Sequence, residues 1–545
     1  MTNKPKTVAP VPGDPRNVVD RFSVRIPERG TRETIRHSQV DEDLLKLIGD
    51  EGVDVITDPC SLNDASRDWW PLSIAWANAS NVPKRPDALV RPHDVGEISA
   101  VLAACNEALV PVTPMAGRSG VNGGSIPAFG GIALDMTDIC GLNGFDEKSL
   151  VIDVRAGTFG PALEEALGSI SEGYTLGHWP QSMDLSTVGG WLACRGAGQY
   201  SSRYGKIEDM VIGLEVVLSD GRIIRTEGNA PRQAIGPNLT QLFVGSEGTF
   251  GVIAAARLRV HPKPTNSAKR AFSFESFDEG LESCRRILRR GATPAVLRLY
   301  DEFESSGNFE TSHSNVLIVF DEADKALLDA TISIVDDEIN SQRDVTRLDD
   351  SLVDSWFIRR NDVSALAELW SAGLVVDTIE ISARWSELRS VCHDVLTKIR
   401  EIPGTISASV HQSHSYIDGA CLYFTFVGEN SADSVDRYRH LSRETQANIK
   451  DGKSEITQSN LSFEYEWQEA YYCKVFDEVT NIILAHSAAI SHHHGIGLNR
   501  ARFMESALGP TFDVLCELKK ALDPNGILNP GKLGFLGPFG EVAWP

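Results

Sequence analysis

The chain lacks most of the features that would place it quickly. No apolar run approaches the roughly 18 residues of a membrane span, and no apolar core follows the N-terminus, so neither a spanning helix nor a secretory signal is expected. Positive charge is scarce: 52 Lys and Arg stand against 75 Asp and Glu, a net charge of -23. That argues against a general nucleic-acid binder and against docking on anionic lipid, both of which need a positive field. It leaves room for a small anionic substrate held by a few local cations. The nine cysteines are scattered and form no CxxC, which reads as reduced thiols rather than a disulfide framework. There is no Walker A lysine after a glycine loop and no HxxxH or HExxH zinc spacing. Repeats and low-complexity tracts are absent, and no SKL-type address ends the chain, so a cytoplasmic setting is expected.

At 545 residues the chain is too long for one simple core. Its texture divides into a polar, proline-punctuated lead-in (1–85), a strand–helix–strand region rich in glycine loops (86–264), a region of alternating strands and helices (265–475) and a mainly helical end (476–545). In the lead-in, "DASRDWWPLSIAW" reads as a packing anchor. Asp220-Gly221 reads as a hairpin turn, and "GTFGVIAAARLRVHPKP" as a last strand pair closed by prolines. The alternation after residue 265 suggests an α+β sheet with helices on one face.

Three glycine-rich stretches share the 86–264 region: "PMAGRSGVNGGS", "DLSTVGGWLACRGAG" and "GSEGTFGVI". Each alone is weak, because glycine turns are common. None is a GxGxxG following a long strand. Together they suggest one long cofactor carrying a pyrophosphate, wrapped by backbone donors.

The ordered set "PMAGRSG…GHWPQSMDLSTVGGW…GSEGTFGVI…DPNGILNPGK" resembles the FAD-binding domain of the vanillyl-alcohol-oxidase (PCMH-type) flavoproteins. Within that superfamily "SHHHGIG", "YIDGACLYFTF" and "YGKIEDMVIGLEVV" look like segments of the alkyldihydroxyacetonephosphate synthases, also called alkylglycerone-phosphate synthases. The resemblance implies an α+β protein. It would have a two-subdomain FAD-binding domain (86–264), a cap or substrate domain (265–475) and a C-terminal segment that completes the site. It assigns FAD contacts to four stretches. The first is Pro114, Met115, Ala116, Gly117, Arg118, Ser119 and Gly120 around the pyrophosphate. The second is Gln181, Ser182, Met183, Asp184, Leu185, Ser186 and Thr187. The third is Cys194, Arg195, Gly196 and Ala197. The fourth is Glu247, Gly248, Thr249, Phe250, Gly251, Val252 and Ile253. The first loop carries no histidine to tether the flavin, so non-covalent FAD is expected. Arg118 stands where a glycine is expected and is read as neutralising the pyrophosphate.

The resemblance further implies that His494, with His493 and His492, acts as the base. Tyr423 is its acid/base partner, and Arg359 of "SWFIRRND" holds the substrate. The residue types suit these tasks: histidine titrates near neutrality, a strand tyrosine presents a hydroxyl, and arginine offers a fork for phosphate or carboxylate. Taken as a strand, the run would place His492 and His494 on one face and His493 on the other. No metal is expected. His178 is divided between a structural place and the flavin face. Two reactions stay open. One is exchange of acyl for alkyl on dihydroxyacetone phosphate through a bond to flavin N5. The other is oxidation of a 2-hydroxy acid or other alcohol. Leu498-Asn499 replaces an expected lysine and keeps the second open. The partner expected is a small or lipid-like molecule, and a homodimer is one assembly open to the chain.

Overall fold

Three sheets position the site in the computed structural model, which describes residues 40–78, 82, 84–226, 232–312, 314–361, 369–370, 373–430, 465–540 and 542. The first contains β1 (Asp54–Ile56), β2 (Ala88–Arg91), β3 (Val112–Met115) and β4 (Ile132–Asp135), in the order β1-β2-β4-β3. β4 runs parallel to both β2 and β3. Parallel neighbours need a long crossover, and the helix Val95–Ala108 supplies one. It begins where the Asp94 carboxylate accepts the Glu97 N–H at 2.9 Å. It buries Ile98, Val101, Leu102 and Cys105.

The second sheet is antiparallel. Its strands come from β5 (Leu142–Asp146), β6 (Val151–Arg155), β7 (Tyr174–Thr175), β8 (Val211–Val217), β9 (Ile223–Arg225), β10 (Val252–Arg259) and β11 (His261–Pro262). Five of them form the order β5-β6-β10-β8-β9, while β7 and β11 make a separate ribbon. The β8–β9 turn is the Asp220-Gly221 turn read from sequence, with Gly221 at φ 85°. The proline-closed strand pair is also present as β10 and β11, but β11 pairs with β7 rather than with β10.

The third sheet has seven antiparallel strands: β12 (Asn266–Phe274), β13 (Val296–Tyr300), β14 (Asn315–Ala323), β15 (Thr346–Leu348), β16 (Val375–Arg384), β17 (Thr405–Ser415) and β18 (Gly419–Gly428). Their order is β15-β12-β14-β13-β17-β18-β16. Side chains alternate across a strand, and here the alternation sorts chemistry. Leu297, Leu299, Leu317, Val319, Ile379, Ile381, Val410, Leu422, Phe424 and Phe426 share one core with the helices Phe277–Arg289, Lys325–Asn340, Leu388–Glu401 and Tyr465–Ala485. Each such side chain is worth roughly 1.5–3 kcal/mol when fully buried. Their strand neighbours Arg298, Glu380, His411 and Tyr423 therefore project from the opposite face. The stretch "CLYFTFVGENSADSVDRYRHLSRETQANI" (421–449) reads from sequence as strand then helix, and its helical part beyond residue 430 lies outside the described residues.

Two terminal segments lock the sheets together. Trp70 is fully buried and its Nε1 donates to the Tyr472 hydroxyl at 2.9 Å, so "DWW" is an anchor. The tail "DPNGILNPGKL" lies beside β3: Val112 N–H donates to Ile527 O and Asn529 N–H to Val112 O, both at 2.8 Å. Lys532 is fully buried, its Nζ donating to Ile126 O at 2.7 Å. The helix Tyr465–Ala485 runs unbroken through residue 475, where the sequence texture placed a boundary. Its buried stripe of Tyr472, Val475, Phe476, Val479 and Ile483 continues across that point.

Candidate active site

A cavity of about 300 Å³ separates the glycine-rich loops from the polar face of the seven-stranded sheet. Residues Pro114 to Gly120 all line it. Gly117 is required there: a Cβ would sit 2.0 Å from the Leu185 carbonyl oxygen. Arg118 occupies the left-handed region at φ 53°. Among the described residues, no protein acceptor takes the N–H of Arg118, Ser119, Gly120 or Val121, leaving a run of amides for a ligand. The Arg118 guanidinium, however, is engaged elsewhere. It pairs with the Asp64 carboxylate at 2.5 Å and also donates to the Asp64 carbonyl. Burial works against the Asp64 carboxylate, but Arg118 and Arg67 outweigh it and bring it down to about 2. Arg118 thus fixes the loop to the lead-in, and its charge is already answered, contrary to the pyrophosphate role expected from sequence.

The other three stretches reach the cavity in part, as alternating turns require. Gln181, Ser182, Leu185, Ser186 and Thr187 line it, while Met183 is buried behind them and Asp184 points elsewhere. Cys194, Gly196 and Ala197 line it. Arg195 instead ends the Val188–Cys194 helix in the left-handed region and reaches Glu208 at 3.5 Å. Glu247, Gly248, Gly251, Val252 and Ile253 line it, with Thr249 and Phe250 buried behind. The Glu247 carboxylate accepts the N–H groups of Ile496 and Gly497 at 2.6 and 2.8 Å, tying this loop to the histidine segment.

The facing wall holds Arg298, His414, Tyr423, His493 and His494. The three-histidine run is a series of bends rather than a strand, so the alternating-face expectation fails. The cause is Glu380 on β16, fully buried. It accepts the N–H of His492 at 2.5 Å and of His494 at 2.7 Å, and pairs with Arg500 at 3.0 Å. Burial opposes this carboxylate, but Arg500, His494 and the amides hold it below the ordinary range. All three imidazoles therefore gather on one side, with successive ring centroids 5.0 and 4.6 Å apart. His493 Nε2 lies 2.6 Å from the Tyr423 hydroxyl. His492 is in the cluster but not on the cavity wall. His494 Nδ1 is buried with no hydrogen-bond partner among the described residues, 3.7 Å from Glu380. Burial pulls His494 down to about 4, with Glu380 opposing and Arg500 adding to the fall. Burial likewise lowers His493 and raises the Tyr423 hydroxyl well above its usual range. Both are neutral at neutral pH.

Arg359 does not reach the cavity. It ends the helix Ser351–Arg359, and among the described residues its guanidinium donates to the Asn308 carbonyl at 3.3 Å. The arginine on this wall is Arg298, which sequence reasoning missed. Its Nη2 lies 2.9 Å from His411 Nε2, and its Nε is buried without a partner among the described residues. His411 in turn stacks on Tyr423, rings 4.7 Å apart, and meets Glu304 at 2.6 Å. No short motif marks these residues: Arg298 and His411 come from different strands, and Glu304 from the helix Glu302–Phe309. His178 is fully buried against Trp191 and does not line the cavity. The expected lysine position is filled by Asn499, buried and bonded to Asn122 Oδ1 at 3.0 Å and Tyr472 at 3.1 Å.

A model of the FAD binding domain matches residues 86–227, and a model of the C-terminal domain of FAD linked oxidases matches 263–451 and 460–533. The chain belongs to the FAD-linked oxidase family. FAD is accordingly its cofactor, and the unused amides of the first loop fit a pyrophosphate. An uncharacterised FAD-linked oxidoreductase of Escherichia coli (strain K12) is 28% identical over 461 residues, covering 82% of this chain and 89% of that one. Alkyldihydroxyacetonephosphate synthase of Dictyostelium discoideum is 27% identical over 490 residues, covering 83% and 74%. Glycolate oxidase subunit GlcD of Bacillus subtilis is 27% identical over 462 residues, covering 82% and 89%. In structure, an alkyldihydroxyacetonephosphate synthase superposes with a TM-score of 0.70 at 20% identity, over 94% of this chain and 90% of that one. p-Cresol methylhydroxylase superposes at 0.68 with 16% identity, over 90% and 96%. The family member described here has no helix among its described residues long and apolar enough to cross a membrane.

Proposed function

We propose that this flavoenzyme exchanges the acyl group of an acylated, phosphate-bearing ketone for an alkyl group, the reaction that its resemblance to the alkyldihydroxyacetonephosphate synthases implies. The single observation that carries the reading is the 2.6 Å contact of the Tyr423 hydroxyl with His493 Nε2, on the wall opposite the flavin-binding loops. When bound, FAD supplies a ring that can take up an electron pair and give it back. The chain's own residues do the rest. The stretches at 114–120, 181–187, 194–197 and 247–253 hold the cofactor, without a covalent tether. Arg298 offers its unpartnered Nε–H to the substrate anion. The neutral Tyr423–His493 pair takes a proton from the carbon beside the carbonyl and later returns it, while His494 lies alongside as a second neutral base. The acyl group departs as a carboxylic acid and a fatty alcohol enters, so no electron acceptor is consumed.

A second reading is oxidation of a 2-hydroxy acid, with the same pair taking the hydroxyl proton and Arg298 the carboxylate. Asn499 favours it, because a buried amide stands where the synthase-like run would carry a cation. Anaerobic mixing separates the two. Acyl-for-alkyl exchange on dihydroxyacetone phosphate with no electron acceptor supports the first. Bleaching of the flavin by a 2-hydroxy acid, reversed by oxygen or a dye, overturns it in favour of the second.

A further inference from the structure

The hydrogen bonds do not stop at His493. Its Nδ1 lies 2.8 Å from His492 Nδ1, and His492 Nε2 lies 3.0 Å from the Tyr416 hydroxyl. The Tyr416 hydroxyl donates to Ser201 Oγ at 3.1 Å, and Ser201 Oγ lies 2.7 Å from His414 Nδ1. Tyr423 and His414, the two ends, both line the cavity, whereas His492, Tyr416 and Ser201 lie behind its wall. Among the described residues no hydrogen bond joins the two ends directly, and their rings stand 6.5 Å apart by centroid.

We propose that Tyr423, His493, His492, Tyr416, Ser201 and His414 form a proton relay that starts and finishes in the active-site cavity, taking a proton at Tyr423 and delivering one at His414. The proposal rests on the function proposed above in taking the bound substrate as the source and the acceptor of those protons.

The donor count supports it. Two facing Nδ1 atoms can share one hydrogen only, so His492 and His493 must be opposite tautomers. If Tyr423 donates to His493 Nε2, His493 donates from Nδ1 to His492, and His492 donates from Nε2 to Tyr416. Tyr416 then donates to Ser201 and Ser201 to His414 Nδ1, which leaves a hydrogen on His414 Nε2. Every donor has one acceptor and all point the same way. Transfer breaks the substrate C–H bond, moves each hydrogen one place along, and forms one O–H bond at the far end. All six side chains stay neutral, with tautomers reversed. In an exchange reaction the second half runs the relay backwards: the entering alcohol gives its proton at His414, and the carbon regains one from Tyr423. No oxidant or bulk base is consumed.

The surroundings suit a neutral carrier. Burial pulls His492, His493 and His414 well below the usual imidazole range. Lys206 Nζ donates to the His492 carbonyl at 2.7 Å, and Glu380 holds the amides of the same loop. Arg298 acts on His414 and Arg500 on the neighbouring His494, while Glu208 and Asp209 act on Tyr416. The relay also crosses between the glycine-rich half, through Ser201, and the cap sheet, through Tyr416 and His414, so it closes only when the two are docked. A metal is the rival occupant: ligand atoms of His414, His492 and His493 lie within 4.8 Å of one another. Yet both nitrogens of His492 and of His493 are already spent on hydrogen bonds.

The test uses FAD-loaded enzyme labelled with ¹⁵N-histidine, as wild type, Tyr416→Phe and Ser201→Ala. NMR should show His492 and His493 as opposite, neutral tautomers. Either substitution should shift the tautomer populations at both ends, His493 and His414. Identical tautomers at 492 and 493, or ends that ignore the substitutions, overturn the relay. So does stoichiometric capture of added zinc by these rings. In whichever of the two reactions the enzyme turns over, each variant should lose about tenfold or more in kcat with KM held. The double variant should be no worse than either single one. Additive losses would contradict a single chain. Coupled tautomers without turnover on either substrate would leave the relay standing and sink the proposed function instead.

Discussion

The two walls of the cavity are built by opposite means. The wall that we propose holds the flavin is backbone: contiguous stretches whose glycines allow close approach, with side chains such as Arg118 turned away to brace it. The facing wall is side chain: Arg298 from β13, His414 from β17, Tyr423 from β18, and a loop bent into shape by a buried carboxylate on β16. A backbone wall can be damaged only by intrusion. A side-chain wall can be damaged by deletion of a single group. The first kind of damage should cost cofactor, the second chemistry or local order.

The largest expected effect lies where the side-chain wall has no redundancy. Glu380→Ala would strand Arg500 and the amides of 492 and 494 in the interior. It should cost about 3–5 kcal/mol of stability, measured by denaturant unfolding, with Glu380→Gln closer to wild type. On the backbone wall, Gly117→Ala would push a methyl into the Leu185 carbonyl. Overpacking of that kind costs roughly 1–3 kcal/mol, and it should appear as lost FAD retention in equilibrium dialysis while the cap sheet stays folded.

Acid should separate the walls too. His494 and His178 sit at about 4 and about 3 in the folded chain, against about 6.5 when unfolded. Folded pKa values below the unfolded one mean that the unfolded chain binds protons first. Stability from these groups is complete above pH 6.5 and falls as pH drops towards 4. Urea midpoints between pH 7 and 4 should therefore decline, and His178→Leu should flatten the decline. The smallest effect is expected at Arg359, which lies off the cavity and, among the described residues, bonds the Asn308 carbonyl at 3.3 Å. Arg359→Gln should leave turnover within about twofold. Arg298→Gln should lower kcat/KM by roughly 10–100-fold, the worth of a charged hydrogen bond.

That asymmetry also explains what was legible in the sequence. The glycine stretches are local, so Pro114 to Gly120 and most of the later stretches could be read directly, as could the Asp220-Gly221 turn and the Trp70 anchor. The cap wall was legible only where a motif survives in one segment, at Tyr423 and the histidine run. Arg298, His411 and His414 sit on strands that meet only after the seven-stranded sheet closes, and pleating decides which of their neighbours face the cavity. Arg359 was chosen from a short run with no such constraint, and it lies at a helix end instead. The bend at His492 to His494 needs Glu380, more than 100 residues upstream, so no local reading could replace the strand expectation.

The most direct measurement is made on Tyr423→Phe, which removes one hydroxyl and leaves the opposite wall untouched. The expected result is a protein that binds FAD as tightly as wild type while turnover falls by roughly 10²–10⁴. A variant that keeps full turnover, or one that loses its flavin, would contradict the assignment of proton chemistry to one wall and cofactor binding to the other.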